Sequence, residues 1–425
     1  MFEQIVVVTI FAVALAIIAS EKINRSIVSL IGASILVIFG FIDQHHAIQA
    51  IDFNTLGLLI GMMILVSISA KTGFYEYLAI SVIHATKGRP IYILLALALL
   101  TAVLSAFLDN VTTILLVSPI SLFVAQILRT SPVPFIISQI MFSNIGGTAT
   151  LVGDPPNIII GSAAGLSYMD FIVNIAPAVG IILLISLLVI YFYFRNQIPK
   201  RSMKKEQLEQ LDPRKALKDI PLLIKTGTVF TLVMIGFFVH SVFQLEAATI
   251  AMAGAALLLL LTIKHPDDIY KEVEWGTILF FTGLFVMVGA MEHVGIIEVI
   301  ASQVMNLTGG DALKTSMLVL WFSGLSSGVI DNIPITTVLV TMIKDIQATG
   351  VDVNTLWWSL SLGACLGGNA TLIGASANVV GADICNRTEY KITFFDFLKY
   401  GLFISLLGFV IASGYIYLRY FVFQF

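Results

Sequence analysis

The sequence predicts an all-α membrane protein built as an inverted repeat, with about ten transmembrane helices, two opposed re-entrant hairpins and two broken helices. Three observations carry this. Hydrophobic residues fill 58% of the 425 positions and charged residues 12%, whereas a soluble domain holds about a quarter charged. Apolar stretches of spanning length recur from Phe2 to Phe425 with one long polar interruption. The third observation is that one set of motifs is written twice, at a nearly constant offset.

In the first half the apolar segments are 4–20, 26–42, 55–70, a close pair at 91–108 and 112–128, then 134–165 interrupted by Gly146-Gly147, and 171–194. The start, Met1-Phe2-Glu3-Gln4, lacks the basic region of a secretory signal, so the first segment is expected to stay as a span. The polar stretch 196–221 divides the halves and reads as a solvated cytoplasmic connector, because Lys204-Lys205, Glu206-Gln207 and Glu209-Gln210 follow at helical spacing. The second half repeats the series as 222–242, 248–263, 276–291, the pair 313–330 and 334–346, the segment 356–384 interrupted by Gly367-Gly368, and 397–420. This divides the chain into a first repeat at 1–195, the linker, and a second repeat at 222–425.

Asp109-Asn110 returns as Asp331-Asn332, and Gly146 to Gly153 returns as Gly367 to Gly374, with Asn157 matched by Asn378. Upstream, Gly61, Gly73 and Glu76 recur as Gly283, Gly295 and Glu298. An odd number of crossings per repeat requires the halves to be inverted, the arrangement of many secondary transporters. Lys and Arg placement agrees. With residues 195–221 in the cytoplasm, their eight Lys and Arg share a side with Lys22, Arg25, Lys71, Lys87, Arg89, Arg129, Lys264, Lys271, Arg387, Lys391 and Lys399. Lys314, Lys344 and Arg419 fall outside, and both termini are expected outside the cell membrane.

Non-helical backbone at membrane depth is tolerated only where it is buried in protein or lines a cavity. The Asp-Asn and Gly-Gly interruptions are therefore expected to form the site, with helix ends aiming N–H groups and carbonyls at ions. Asp109 and Asp331, followed by Thr112-Thr113 and Thr336-Thr337, are good helix caps, and Asn110 and Asn332 flank them. A carboxylate near the bilayer centre costs about 3 kcal/mol, and Asn could cap without it, so ion or proton binding is the stronger reading. Sodium would sit at Asp109, Asn110, Asp331 and Asn332. Asp154, in Gly153-Asp154-Pro155-Pro156-Asn157, is matched by Ala375, so the halves are not equivalent. Thr148, Thr150, Asn157, Asn369, Thr371 and Asn378 supply neutral oxygens or donors, and Gly146, Gly147, Gly367 and Gly368 would let a solute approach the backbone.

The six histidines, at 45, 46, 84, 240, 265 and 293, read as interface residues without a ligand-spaced cluster, and Trp357-Trp358 as an interfacial aromatic belt. Cys365 and Cys385 read as free packing thiols.

Phe107 to Thr113, Asn144 to Thr150 and Gly153 to Asn157 resemble the ion transporter superfamily, in the branch of arsenical-pump permeases, sodium/proton antiporters and the P protein. The resemblance runs over essentially the full chain. It implies opposed hairpins, a homodimer with scaffold and transport domains, and an elevator-like motion. In the related sodium-coupled dicarboxylate carriers the hairpin tips carry Ser-Asn-Thr, whereas here Asp109 and Asp331 stand in place of Ser.

The resulting expectation is a secondary active transporter of a small ion, coupled to sodium or protons, with no other cofactor, no enzymatic activity and no nucleic-acid partner. The alternatives are an arsenite or antimonite permease served by a separate ATPase, since no phosphate-binding Gly-x-x-x-x-Gly-Lys motif is present, a sodium-coupled di- or tricarboxylate carrier of the citrate type, and an ion channel. An intramembrane aspartyl protease would want a Gly-x-Gly-Asp signature that the sequence lacks.

Overall fold

The computed structural model describes every residue except 21, 204–205, 207, 209–210, 241, 263–265 and 424–425. Of the sequence expectations, the linker spacing of 204–210 falls largely on undescribed residues, and the Lys264 and His265 assignments fall wholly outside the described ones. Among the described residues every regular element is a helix. In the first half these are α1 (Phe2–Ala19), α2 (Arg25–Ile38), α3 (Gln44–Gln49), α4 (Phe53–Ala70), α5 (Phe74–Ala85), α6 (Pro90–Ser105), α7 (Asn110–Leu128), α8 (Val133–Gly147), α9 (Pro155–Ala164), α10 (Tyr168–Asn174) and α11 (Ala176–Phe194). A short α12 (Pro213–Ala216) lies in the linker. The second half holds α13 (Ile220–Val239), α14 (Ala247–Thr262), α15 (Asp267–Tyr270), α16 (Trp275–His293), α17 (Ile296–Thr308), α18 (Ala312–Ser327), α19 (Asn332–Ala348), α20 (Asn354–Gly367), α21 (Ser376–Asn386) and α22 (Phe394–Ile416), the last continued by a π-helical turn to Val422.

Seven of these helices are long and apolar enough to cross a membrane, or eight if α9 and α10, bent by 113° at Gly165, form one span. Five shorter apolar helices, α2, α6, α8, α14 and α17, accompany them. Helix starts are set by short polar caps: Asp43, Asp52, Asp109, Asp219, Asp311 and Asp331 each accept backbone N–H groups of the first turn. Ser167 and Thr393 form full capping boxes with Asp170 and Asp396.

The packing repeats with the halves exchanged. Helix α2 lies on α16 as α14 lies on α4, and the hairpin helix α7 meets α21 as α19 meets α9. Within each half α8 packs closely on α6, and α20 on α18. A Cβ on Gly146 would stand 2.1 Å from the Ala102 carbonyl oxygen, and one on Gly367 2.3 Å from that of Gly324. The space beside these glycines is therefore filled by the neighbouring backbone rather than left for solute, which corrects the sequence reading of both.

Two further expectations are corrected. Trp357 and Trp358 are buried in protein rather than set in a lipid-facing belt, because Trp358 packs edge-on against Phe171 and donates to Asn354 Oδ1 at 3.2 Å. The linker is docked rather than merely solvated: Met203 N–H donates to the Gly88 carbonyl and Lys218 N–H to that of Thr72, both at 2.9 Å, while Met203 and Leu211 are buried.

Candidate functional site

The two hairpin tips and the two broken helices meet where the halves cross. Asp109 caps α7, accepting the Thr112 N–H at 2.9 Å and the Thr112 hydroxyl. Asp331 caps α19 through the Ile333 N–H at 3.1 Å. The next residue in each tip turns inward. Asn110 accepts from Ser105 and donates to Asn144 Oδ1 at 3.1 Å, and Asn332 donates to Asp154 Oδ1 at 3.3 Å. Asp154 is 1% exposed, and its second oxygen, Oδ2, is buried without a hydrogen-bond partner among the described residues.

An asparagine network ties the broken helices together across the repeats. Asn144 Nδ2 donates to Asn369 Oδ1 and Asn378 Oδ1, each at 2.8 Å. Asn157 Nδ2 satisfies the Thr148 and Thr150 carbonyls at 3.0 and 2.8 Å, as Asn378 Nδ2 satisfies those of Gly368 and Thr371 at 2.7 and 2.8 Å. Both asparagines thus close carbonyls that the helix breaks leave open, so much of their hydrogen-bonding capacity is spent on the chain. Thr150 and Thr371 donate to the Ala106 and Gly328 carbonyls, each at 2.6 Å, which pins each loop to the preceding hairpin arm.

Not every expected residue comes to the centre. Thr148 returns its hydroxyl to the Asn144 carbonyl, Thr113 to that of Asp109, and Thr336 and Thr337 to those of Asn332 and Ile333, so all four are spent on their own helices or caps. Thr337 instead lines a separate cavity with Glu292 and Lys344. Gly147 and Gly368 lie against Gly153 and Gly374, where they admit the returning loop.

Three residues absent from the sequence expectation join the site. Arg25, at the start of α2, donates from Nη1 to Asp331 Oδ2 at 3.2 Å and to the Ser376 hydroxyl, and from Nη2 to Thr277 Oγ1 at 3.1 Å. Glu274, just before α16, accepts from Thr277 at 3.0 Å. Asn144 is the third. A cavity of about 440 Å³ is lined by Asn24, Arg25, Glu274, Asp331 and Ser376, and adjoins one of about 40 Å³ reaching Asp109, Asn110, Asp154 and Asn332. The inner space suits a cation or a water or two, since one water needs roughly 10–15 Å³ by this measure. The outer space is large enough for a small organic solute. The only signal in the sequence for Arg25 was an Arg in the first turn of an apolar helix, where the helix dipole disfavours it.

The histidines are more varied than expected. His45 and His46 join Asp43 in an exposed cluster whose ligating atoms lie within 4.8 Å of one another, with the His293 ring 5.0 Å from that of His46. Hydrogen bonds from the His46 N–H and ring hold the Asp43 carboxyl down at about 2. His240 is buried, with Nδ1 against the Leu245 carbonyl at 2.7 Å. Cys365 and Cys385 are free and buried, as read.

Residues 15–363 match the family described as CitMHS, citrate transporter. The chain is 39% identical to an uncharacterized transporter of Mycobacterium tuberculosis, over 99% of both chains, and 38% identical to a 46 kDa membrane protein of Mycobacterium leprae, again over 99% of both. It is 31% identical to the human P protein, covering 97% of this chain and 60% of that one. The YdaH transporter of Alcanivorax borkumensis, whose crystal structure was described as having an unusual topology, shares the fold with a TM-score of 0.59 at 13% identity, over 95% of this chain and 97% of that one.

Proposed function

The chain belongs to the citrate transporter family, and on that premise we propose that this multi-pass membrane protein is a secondary active transporter of a small ion, driven by sodium or protons through an elevator-like exchange of access. One observation carries the coupling. Asp154 presents a buried oxygen without a partner to a space of about 40 Å³, shared with Asp109, Asn110 and Asn332. A bare carboxylate there is costly unless a proton or cation joins it, so this is where the driving ion is held. Asn110 and Asn332 supply neutral oxygens, and the tip acids Asp109 and Asp331 add charge without closing the space. The coupling ion and the solute then occupy adjoining volumes, the smaller inside the larger. A carboxylate of the citrate type is the substrate class that the family's description brings to the larger one.

The test is uptake of labelled citrate and succinate into proteoliposomes under imposed sodium or proton gradients. Asp154→Asn keeps the shape of the side chain and removes the charge, and is expected to abolish gradient-driven accumulation while the protein still inserts. Accumulation at the unaltered rate would overturn the assignment of the driving ion to this acid.

A further inference from the structure

Arg25 does not fit the architecture that surrounds it. Its mate in the second repeat, 222 positions on, is Ala247, so the repeat does not require a guanidinium there. Asp331 has a mate in Asp109, which is satisfied locally by Thr112 and has no arginine. An arginine in the first turn of α2 also opposes the helix dipole.

Its surroundings resemble a carboxylate-binding site already filled from within. Phe280 lies under the guanidinium, 5.1 Å from carbon to ring centre, and Thr277, itself bonded to Glu274, fixes one edge. Asp331 and Ser376 take the other edge. Of the five N–H groups of a guanidinium, two remain uncommitted, and the side chain is 26% exposed towards the cavity of about 440 Å³. Arg25, Thr277 and Phe280 belong to the packed pair α2 and α16, whereas Asp331 and Ser376 begin α19 and α21 of the hairpin and broken helix.

We infer that Arg25 is the anion-binding residue of the outer cavity, and that Asp331 occupies the place that a carboxylate of the solute takes at the guanidinium. The solute must displace Asp331 from Arg25 to bind. Doing so leaves Glu274, Asp109 and Asp154 around the inner space, and Asp331 in the adjoining cavity, without the one cationic side chain among the described lining residues. Anion entry therefore raises the affinity of the inner space for a cation, and cation entry loosens Asp331 from Arg25, because linkage is reciprocal. Movement of anion and cation in one direction follows when the site changes sides only with both bound or with neither. This inference rests on the transporter reading above and gives that site its anion-recognising group.

The experiment measures equilibrium binding of labelled citrate to the purified full chain in detergent, beside uptake in proteoliposomes. Arg25→Gln is expected to weaken citrate binding by about 10- to 100-fold, the range for losing charge-assisted hydrogen bonds. Arg25→Lys should fall between, since it keeps the charge and loses the fork. Asp331→Asn should tighten binding at low sodium. A structural role would not change selectivity, so the preference for citrate over its neutral triamide is followed in parallel: it should collapse in Arg25→Gln and survive in Arg25→Lys. Unchanged affinity and selectivity in Arg25→Gln, or no citrate binding by the unaltered chain, would overturn the inference. Binding that follows this pattern without uptake would support Arg25 as the anion site and sink the transport reading instead.

Discussion

Asn144 shows how a single side chain can hold two half-molecules in register. Its amide reaches Asn110 in its own half and Asn369 and Asn378 in the other, and all four are buried. Its mate in the second repeat is Cys365, which touches Asn157 Oδ1 at 3.5 Å where Asn144 touches Asn378. The two positions therefore carry unequal loads. Asn144→Ala leaves several buried amides short of partners at about 1–3 kcal/mol each, so a large fall in thermal stability is expected in detergent melts. Cys365→Ala removes one weak sulfur contact and is expected to cost far less. Equal losses would show that the network does not pass through Asn144. Residue-scale chemistry was only partly legible in the sequence. The acids at 109, 154 and 331 stood out because charge at membrane depth is costly. Arg25 was read as one more cytoplasmic positive charge, because nothing local announces a partner 306 positions away.

Helix elements explain why the glycine pairs were recognised and their purpose misread. The sequence gives Gly146 and Gly367 at matching breaks, and a break with small residues invites the idea of a solute lying on the backbone. The structure places α6 and α18 there instead, with carbonyl oxygens 2.1 and 2.3 Å from where a Cβ would be. Such helix contacts depend on small residues because they let backbones approach. Gly146→Ala and Gly367→Ala should each lower stability by about 1–3 kcal/mol through overpacking, read as a shift in the melting midpoint. Gly227→Ala in α13, whose added Cβ meets no neighbouring element within 4 Å among the described residues, serves as the neutral control. Retained stability in both site variants would mean that α8 and α20 can move away from their neighbours without loss. Helix spans were legible from hydropathy, whereas burial of Trp357 and Trp358 was not, because an aromatic pair at a helix start reads alike against lipid and against protein.

Across the whole molecule the two halves differ in one respect that bears on access. The cavity lined by Ile18, Asn24, Arg25, Thr277 and Val379 has a mate of about 310 Å³ lined by His240, Glu246, Ala247, Thr55 and Ile158, each residue being its counterpart in the other repeat. The first reaches the tip acid Asp331, but the second does not reach Asp109. On the proposed exchange of access, the unequal cavities correspond to one of two related states, and exchanging the conformations of the halves is expected to open the second cavity to Asp109 and close the first. Single cysteines test this in a background of Cys365→Ala and Cys385→Ala. Val379→Cys should react with a membrane-impermeant thiol reagent from one face of sealed vesicles, while Ile158→Cys, 3% exposed as isoleucine, reacts slowly from the other. Adding driving ion and solute together should slow the first and speed the second by similar factors. A channel would open both positions at once, and rates that never change in opposite directions would remove alternating access as the mechanism.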